Sequence, residues 1–514
     1  MFRNSLIATA VALAAGFAGV AQGANLAVPA DNVLNVGGAT AQDKSLAIGW
    51  ITDLCDAAAT PGGIEVFTTR ANFLPGTVSN YAIACRMKGT ANGAAAGQDT
   101  VIVKYSGGSG TGTTNVATGA TLTTSGSANW VDWATCATAP VAGSVNGVNY
   151  SVHLSCPLNG TPLVPKAGLA DVEPPLLGAA GAALTTLPGA AVPFGVMVSQ
   201  NLYEALQTAQ KGAANSTIDA TCNNSVATYT PDCTPNVSSQ LMRGIFKGTI
   251  LTVATLRNQT GASIPNPAGS PLIHICRRGN NSGTMASFKA YFLGEGCGGL
   301  GNQHTFALPT NGGTAAAGQA YTIGNTDRVF AGTGNGDVLA CLDDKVTQNR
   351  YAFGIVSLET TSFGDVAPNR WRFVKLDGVF PSLENVARGE YAFFTESACN
   401  RPSSGANPLS AIQLALASGT VVGGTQTATG LCGAVRGDAV SVNPSGGSAW
   451  AGGTLTIPAS TAVCPTTPVT NASILANPTN GSTRSVSFGG TPNNCNTQWT
   501  ACPTVVAQDD NDAP

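Results

Sequence analysis

The chain has 514 residues, a formal net charge of −3 and only 10% charged residues, against the roughly 25% usual in globular proteins. It has no basic run, which argues against nucleic acid or an anionic membrane as a partner. Its 14 cysteines include no Cys-x-x-Cys, and its three histidines (His153, His274, His304) are scattered. A zinc ribbon, a thioredoxin-type motif, covalent haem attachment and a His-rich metal site therefore lack support, and no metal or cofactor is expected.

Residues 1–23 read as a secretory signal peptide. Arg3 supplies the positive start, Leu6 to Val20 the apolar stretch, and Ala21-Gln22-Gly23 the small residues before cleavage at Ala24. The apolar stretch is short for a membrane span, and no later segment is long and apolar enough to be one. The mature chain is expected in the periplasm or outside the cell, without membrane insertion. An even cysteine count in an exported chain argues for disulfides. The close pairs Cys136/Cys156, Cys222/Cys233, Cys276/Cys297 and Cys495/Cys502 are candidates, although sequence does not fix connectivity.

Val33 to Val36 predicts a strand, Gly37 to Thr40 a turn, and Leu46, Ala47, Trp50, Ile51 and Leu54 the stripe of a helix behind it. Residues 101–105 (VIVKY) predict a second strand before a Gly-rich turn. Residues 111–165 are rich in Thr, Gly and Ala and read as a loop-rich or β-rich insertion. Residues 166–175 look like a strand end carrying Asp171. Helices are predicted over 199–212 and 238–247, with Ser199 and either Ser238 or Ser239 as N-caps. Residues 351–358 predict a buried strand. After about residue 400 the chain becomes nearly uncharged and turn-rich, with Cys432, Cys464, Cys495 and Cys502.

Residues 274–292 (HICRRGNNSGTMASFKAYF) carry the most chemistry. Met285, Phe288, Tyr291 and Phe292 predict one face of an amphipathic helix. Asn281, Ser282, Gly283 and Thr284 stand at its N-terminus, with Arg278 just upstream. Unsatisfied N–H groups, the helix dipole and a guanidinium fork favour an anion there. An ordinary N-cap beside a surface Arg is the plainer alternative.

NVGGATAQ (35–42), VKYSGGSGTG (103–112), GLADVEPP (168–175), SSQLMRGIFKGTI (238–250), CRRGNNSGT (276–284), YAFGIVSLE (351–359) and LDGVFPSLENVARGEYAFF (376–394) together resemble the periplasmic phosphate-binding protein of ABC transporters, within the type II periplasmic binding protein superfamily. The resemblance covers roughly residues 30–400. It implies a two-lobed α/β fold of the type II periplasmic-binding-protein kind, with a loop- or β-rich insertion at about 111–165 and a disulfide-rich C-terminal extension. The implied organisation is signal peptide 1–23, lobe one 24–193, lobe two 194–350, a return to lobe one at 351–400, and an extension over 401–514. The chain would cross near residue 193 and return near residue 351.

It also implies a ligand, inorganic phosphate or a similar oxyanion held without metal, and an ABC transporter permease as partner. The implied ligand-binding residues are Thr40, Ala41 (through its N–H), Ser109, Asp171, Arg278, Ser282, Gly283 and Thr284, with Ser106 the alternative to Ser109 in another register. No catalytic residue is implied. Asp171 would accept a hydrogen from a protonated phosphate and repel sulfate, which has none; a turn or capping Asp is its other reading. The sequence departs from the family at Asn280, where an Asp is usual, and at Ala41, where an aromatic is common. Asn280 would thereby soften the filter against sulfate. Two other classes stay open. One is an extracellular matrix protein reusing the fold, favoured by the low charge and the long extension. The other is a secreted phosphatase-like enzyme, for which neither a nucleophile elbow nor a metal motif is present.

Overall fold

A computed structural model describes residues 28–418 together with 430, 431 and 434, except 60–62, 72, 74–79, 90–92, 106, 122–129, 178–182, 212–217, 223–229, 259–260, 294–317, 359–369, 383–384, 386–389, 404 and 406. The segment read as a signal peptide, Ser106, Cys297 and most of the stretch read as a C-terminal extension, with Cys495 and Cys502, lie outside the described residues. Among the described residues no helix is long and apolar enough to cross a membrane.

The first half opens with β1 (Val33–Gly38) and α1 (Asp43–Gly49), then β2 (Glu65–Thr68), β3 (Tyr81–Arg86), β4 (Asp99–Tyr105) and α2 (Thr114–Thr118). It continues with β5 (Val141–Val145), β6 (Val148–His153) and β7 (Ala167–Ala170). Its parallel core has β1 between β4 and β7. The predicted stripe of Leu46, Trp50, Ile51 and Leu54 packs on one face of this sheet. β5 and β6 form a hairpin that joins the sheet edge, β6 running parallel to β2. The segment read as an insertion thus extends the first sheet, while its start, α2, is a short helix inside the fold.

The 16-residue strand β8 (Leu184–Ser199) links the halves. It pairs with the last strand, β15, up to Pro193, and its partners from Phe194 onward belong to the second sheet. The second half contains α3 (Gln200–Gln210), β9 (Asn236–Val237), α4 (Ser239–Lys247), β10 (His274–Arg278) and α5 (Gly283–Leu293). It goes on through β11 (Val329–Gly332), α6 (Asn335–Thr347), β12 (Ala352–Ser357), β13 (Trp371–Phe373) and β14 (Lys375–Leu376). Here β10 lies between β11 and β12, parallel to both. First-sheet pairing resumes only at β15 (Phe394–Pro402), and α7 (Ala411–Ala417) follows it. The return expected near residue 351 therefore comes later. β12 pairs with β10 and β8 and is buried along its whole length because Phe353 and Ile355 face one core cluster and Ala352 and Val356 another.

Each half thus repeats one plan. Its first parallel strand is central, later strands flank it, and the buried strands read as apolar runs because both faces are covered. The α/β, two-lobed expectation describes this architecture.

Three local expectations need correction. α5 is not amphipathic in the surface sense, since almost every residue in it is buried. Met285, Phe288 and Phe292 join the second-half core, while Ala286 and Ala290 pack on Val172, Leu176 and Leu177 of the first half. A helix wedged between two cores needs apolar or small residues all round. Ser238 caps α4, accepting from the Leu241 N–H at 3.1 Å, but the Ser199 hydroxyl accepts from Ala352 N instead of capping α3. Finally, Cys276 pairs with Cys341 rather than Cys297, because β10 and α6 stack across the second sheet. Cys136–Cys156 and Cys222–Cys233 are bridged, as is Cys55–Cys85.

Candidate functional site

A parallel sheet tends to bind ligands at the carboxyl ends of its strands, where the strand order reverses. Both halves place polar residues at such ends. Thr40 and Ala41 follow β1, Ser109 follows β4, Asp171 follows β7, and Arg278 ends β10. Thr333 and Asn335 follow β11, and Ser357 ends β12.

The halves touch here. The Gly110 N–H donates to the Asn281 carbonyl at 3.0 Å, joining the turn after β4 to the turn before α5. Gly283, the first residue of α5, lies so close that a Cβ on it would overlap Ser109 Oγ and stand 2.7 Å from Asp171 Cβ. Any larger residue would push the halves apart. Ser109 Oγ accepts from the Asp171 N–H at 2.9 Å. Thr395 of β15 donates to the Asp171 carbonyl at 2.6 Å and meets Ser287 of α5 at 3.0 Å. Ser287 in turn bonds the Gly283 carbonyl.

Ser109, Asp171, Arg278, Ser282, Gly283 and Thr284 are all buried. Burial pushes the Asp171 carboxyl up, while Arg278, hydrogen bonds from Ser109 and Gln42, and Lys104 pull it back. Asp171 Oδ1 and Ser282 Oγ are buried with no hydrogen-bond partner. In α5 the first-turn N–H groups of Gly283 and Thr284 have no acceptor within the helix. The Arg278 fork is held from the second half: Nη1 donates to Asn335 Oδ1 at 2.6 Å and Nη2 to the Thr333 carbonyl at 2.9 Å. Asn335 donates on to Ser357 Oγ at 3.0 Å.

Ala41 is buried and packs with the second-half core, whereas Thr40 is only half-buried. Both lie in the single 3-10 turn Thr40–Gln42 before the seven-residue α1. Gly38, just before, has φ +123°, and a Cβ there would overlap the Leu169 carbonyl, so the chain can make this turn only with glycine. Asn280 is not aimed as sequence suggested: its carboxamide oxygen accepts from Arg277 Nη1 at 3.3 Å. Arg277 is itself fully buried, which lowers its pKa to about 10.

Sequence reasoning missed several members of the cluster. Lys104 is fully buried, paired with Asp43 at 2.8 Å, and reaches the Gly38, Ala39 and Tyr105 carbonyls. A lone Lys inside the apolar run VIVKY was its signal. Gln42, two residues past Thr40, donates to the Ala170 carbonyl at 2.8 Å. Asn335 and Ser357 gave no local signal. Among the described residues no group of acidic, His or Cys side chains could hold a metal.

The fold and this cluster define a two-lobed α/β protein with a buried polar junction that brings a guanidinium and a helix N-terminus beside a carboxylate. No known family model and no curated protein matches the chain. Among solved structures it is similar to a phosphate ABC transporter substrate-binding protein with bound phosphate from Clostridium perfringens, with 13% identity, 73% of this chain and 90% of that chain covered, and a TM-score of 0.35. It is also similar to an ABC-type phosphate transport receptor from Vibrio cholerae, with 15% identity, 47% and 68% covered, and a TM-score of 0.27. A third is PstS from Borrelia burgdorferi, with 12% identity, 46% and 68% covered, and a TM-score of 0.25. These likenesses are too distant to bear on function, which rests on the geometry of the site.

Proposed function

We propose that this is an exported solute-binding protein that captures inorganic phosphate or a similar oxyanion between its two lobes, and not an enzyme. One observation carries the reading. Asp171 Oδ1 and Ser282 Oγ are buried, without partners, where strand ends of both halves meet beside the α5 N-terminus and Arg278. Buried polar atoms without partners are rare in native structures and call for an explanation, an unseen ligand among them.

In this reading Arg278 supplies the full positive charge, held in place by Asn335 and Thr333. The N–H groups of Gly283 and Thr284 donate to oxygens along the helix dipole. Ser282, Thr284 and Thr40 donate hydroxyl hydrogens and Ala41 donates its N–H, while Ser109, whose one hydrogen goes to the Asp171 carboxyl, sets that carboxyl against the ligand. Asp171, an acceptor when ionised, takes a hydrogen from the ligand and discriminates against sulfate. The delivery partner is an ABC transporter permease, and the compartment is the periplasm or the cell exterior.

The test is native purification, identification of any bound anion, and calorimetric titration of the stripped protein with phosphate and sulfate. Phosphate binding with sulfate discrimination is the expected outcome; absence of binding to either overturns the reading. A second reading has its own support. The Gly110–Asn281 bond and the Gly283–Asp171 contact join the halves directly, as a matrix protein reusing the fold would need. It predicts no anion binding in the titration, together with self-association measured by light scattering.

A further inference from the structure

We propose that Gln42 is a second ligand acceptor beside Asp171, so that the site selects an oxyanion carrying two hydroxyl groups, the monovalent form of phosphate or its equivalent. This rests on the oxyanion-binding reading above.

Gln42 is 2% exposed. Its amide nitrogen donates to the Ala170 carbonyl at 2.8 Å and to the Asp171 carboxyl. A carboxamide has two N–H hydrogens, so both are spent. Its oxygen, Oε1, is buried and has no partner. The same holds for Asp171 Oδ1. Two neighbouring side chains thus each bury one acceptor without a donor, at the junction where the ligand is placed. Leaving either unmet is unfavourable, and a ligand with two donors relieves both.

The chemistry of the two acceptors differs. A second carboxylate would repel an anion, whereas a carboxamide oxygen accepts a hydrogen without adding charge. Gln42 can therefore read a second hydroxyl that a second Asp could not. Around neutrality phosphate exchanges between a form with one hydroxyl and a form with two, while sulfate has none. The charged groups facing Asp171 are Arg278 from β10 and Lys104 from β4, the latter paired with Asp43 of α1. The remaining negative charge of a monovalent ligand falls to Arg278 and the α5 N-terminus.

The experiment is calorimetry of phosphate and sulfate on the full mature chain, in mildly alkaline buffers of differing ionisation enthalpy. There the one-hydroxyl form dominates in solution, so binding the two-hydroxyl form takes a proton from the buffer. The parent is expected to take up a proton with each phosphate bound. Gln42→Met should lose that uptake and about tenfold in phosphate affinity, with sulfate affinity little changed. Gln42→Glu keeps an acceptor oxygen but no donor; added charge should weaken both anions while its phosphate-to-sulfate ratio stays above that of Gln42→Met. A purely structural Gln42 predicts equal damage to the ratio in both variants, and that result overturns the proposal.

Phosphate binding by the parent without proton uptake overturns it too, as does uptake retained in Gln42→Met. Uptake lost in Asp171→Asn with phosphate still bound assigns the proton to Asp171 and also overturns it. If Gln42→Met does not fold, parental uptake and the Gln42→Glu ratio decide. A parent that binds no phosphate removes the function itself, a result distinct from all of these.

Discussion

The two sides of the junction share a plan but not a chemistry. In the first half the polar groups beneath the strand ends are held by a buried charge pair, Lys104 with Asp43, whose ammonium also gathers the carbonyls of the β1 turn. In the second half they are held by neutral groups: Asn335 and Thr333 grip Arg278, and Ser357 orients Asn335. In the proposed site the first half brings the acceptors, Asp171 and Gln42, and the second a cation and a helix N-terminus. Removing Lys104 should accordingly cost stability, and removing Arg278 affinity.

The largest effect should come from Lys104→Met. Losing one partner leaves Asp43 as an uncompensated buried charge, which costs about 3–5 kcal/mol of folding stability. Denaturant titration reads it, and an unchanged midpoint would show that the pair does not organise the first half. Arg278→Ala should lower phosphate affinity by about 2–5 kcal/mol, as for truncating one member of a desolvated charged contact. Its thermal midpoint should move far less than that of Lys104→Met. Equal losses of stability in the two variants would erase the contrast.

pH sharpens the comparison on the second side. His274 is buried beside Lys345, Arg350 and Arg328, and its pKa falls to about 4, burial being the main cause. Its folded pKa lies below the unfolded value of about 6.5, so between these values the unfolded chain binds the extra proton. The neutral His274 thus gives stability that is present above about pH 6.5 and lost as pH falls towards about 4, about 3 kcal/mol in all. Unfolding free energies of the parent and His274→Gln across that window test it; identical slopes refute the assignment. The smallest effect should be that of Asp171→Asn, which should shrink the phosphate preference over sulfate by about 1–3 kcal/mol. Competitive titration reads it, and unchanged selectivity would remove Asp171 from the ligand.

Much of this was legible locally. The apolar runs of β1, β4 and β12 and the stripe of α1 announce themselves, because burial on one or both faces imposes a period. Ser282, Gly283 and Thr284 were legible as a helix start, and Ser109 and Asp171 as residues leaving strands. Asn280 misled because its neighbour Arg277, in a strand, turns to the opposite face from Arg278 and claims the carboxamide. α5 misled because its aromatic face was visible in sequence while the small residues opposite gave no sign that a second core lay against them.

By itself, then, the sequence determined strands such as β1, β4 and β12, the helices α1, α3, α4 and α5, and the polar turns beside them, since side-chain period and capping chemistry act over a few residues. Only the tertiary structure decided that Cys276 meets Cys341, that β12 belongs to the second sheet, and that Gln42, Lys104 and Asn335 stand behind the site. Those contacts join residues dozens of positions apart, and their partners are chosen by how the sheets stack and not by any local preference of the chain.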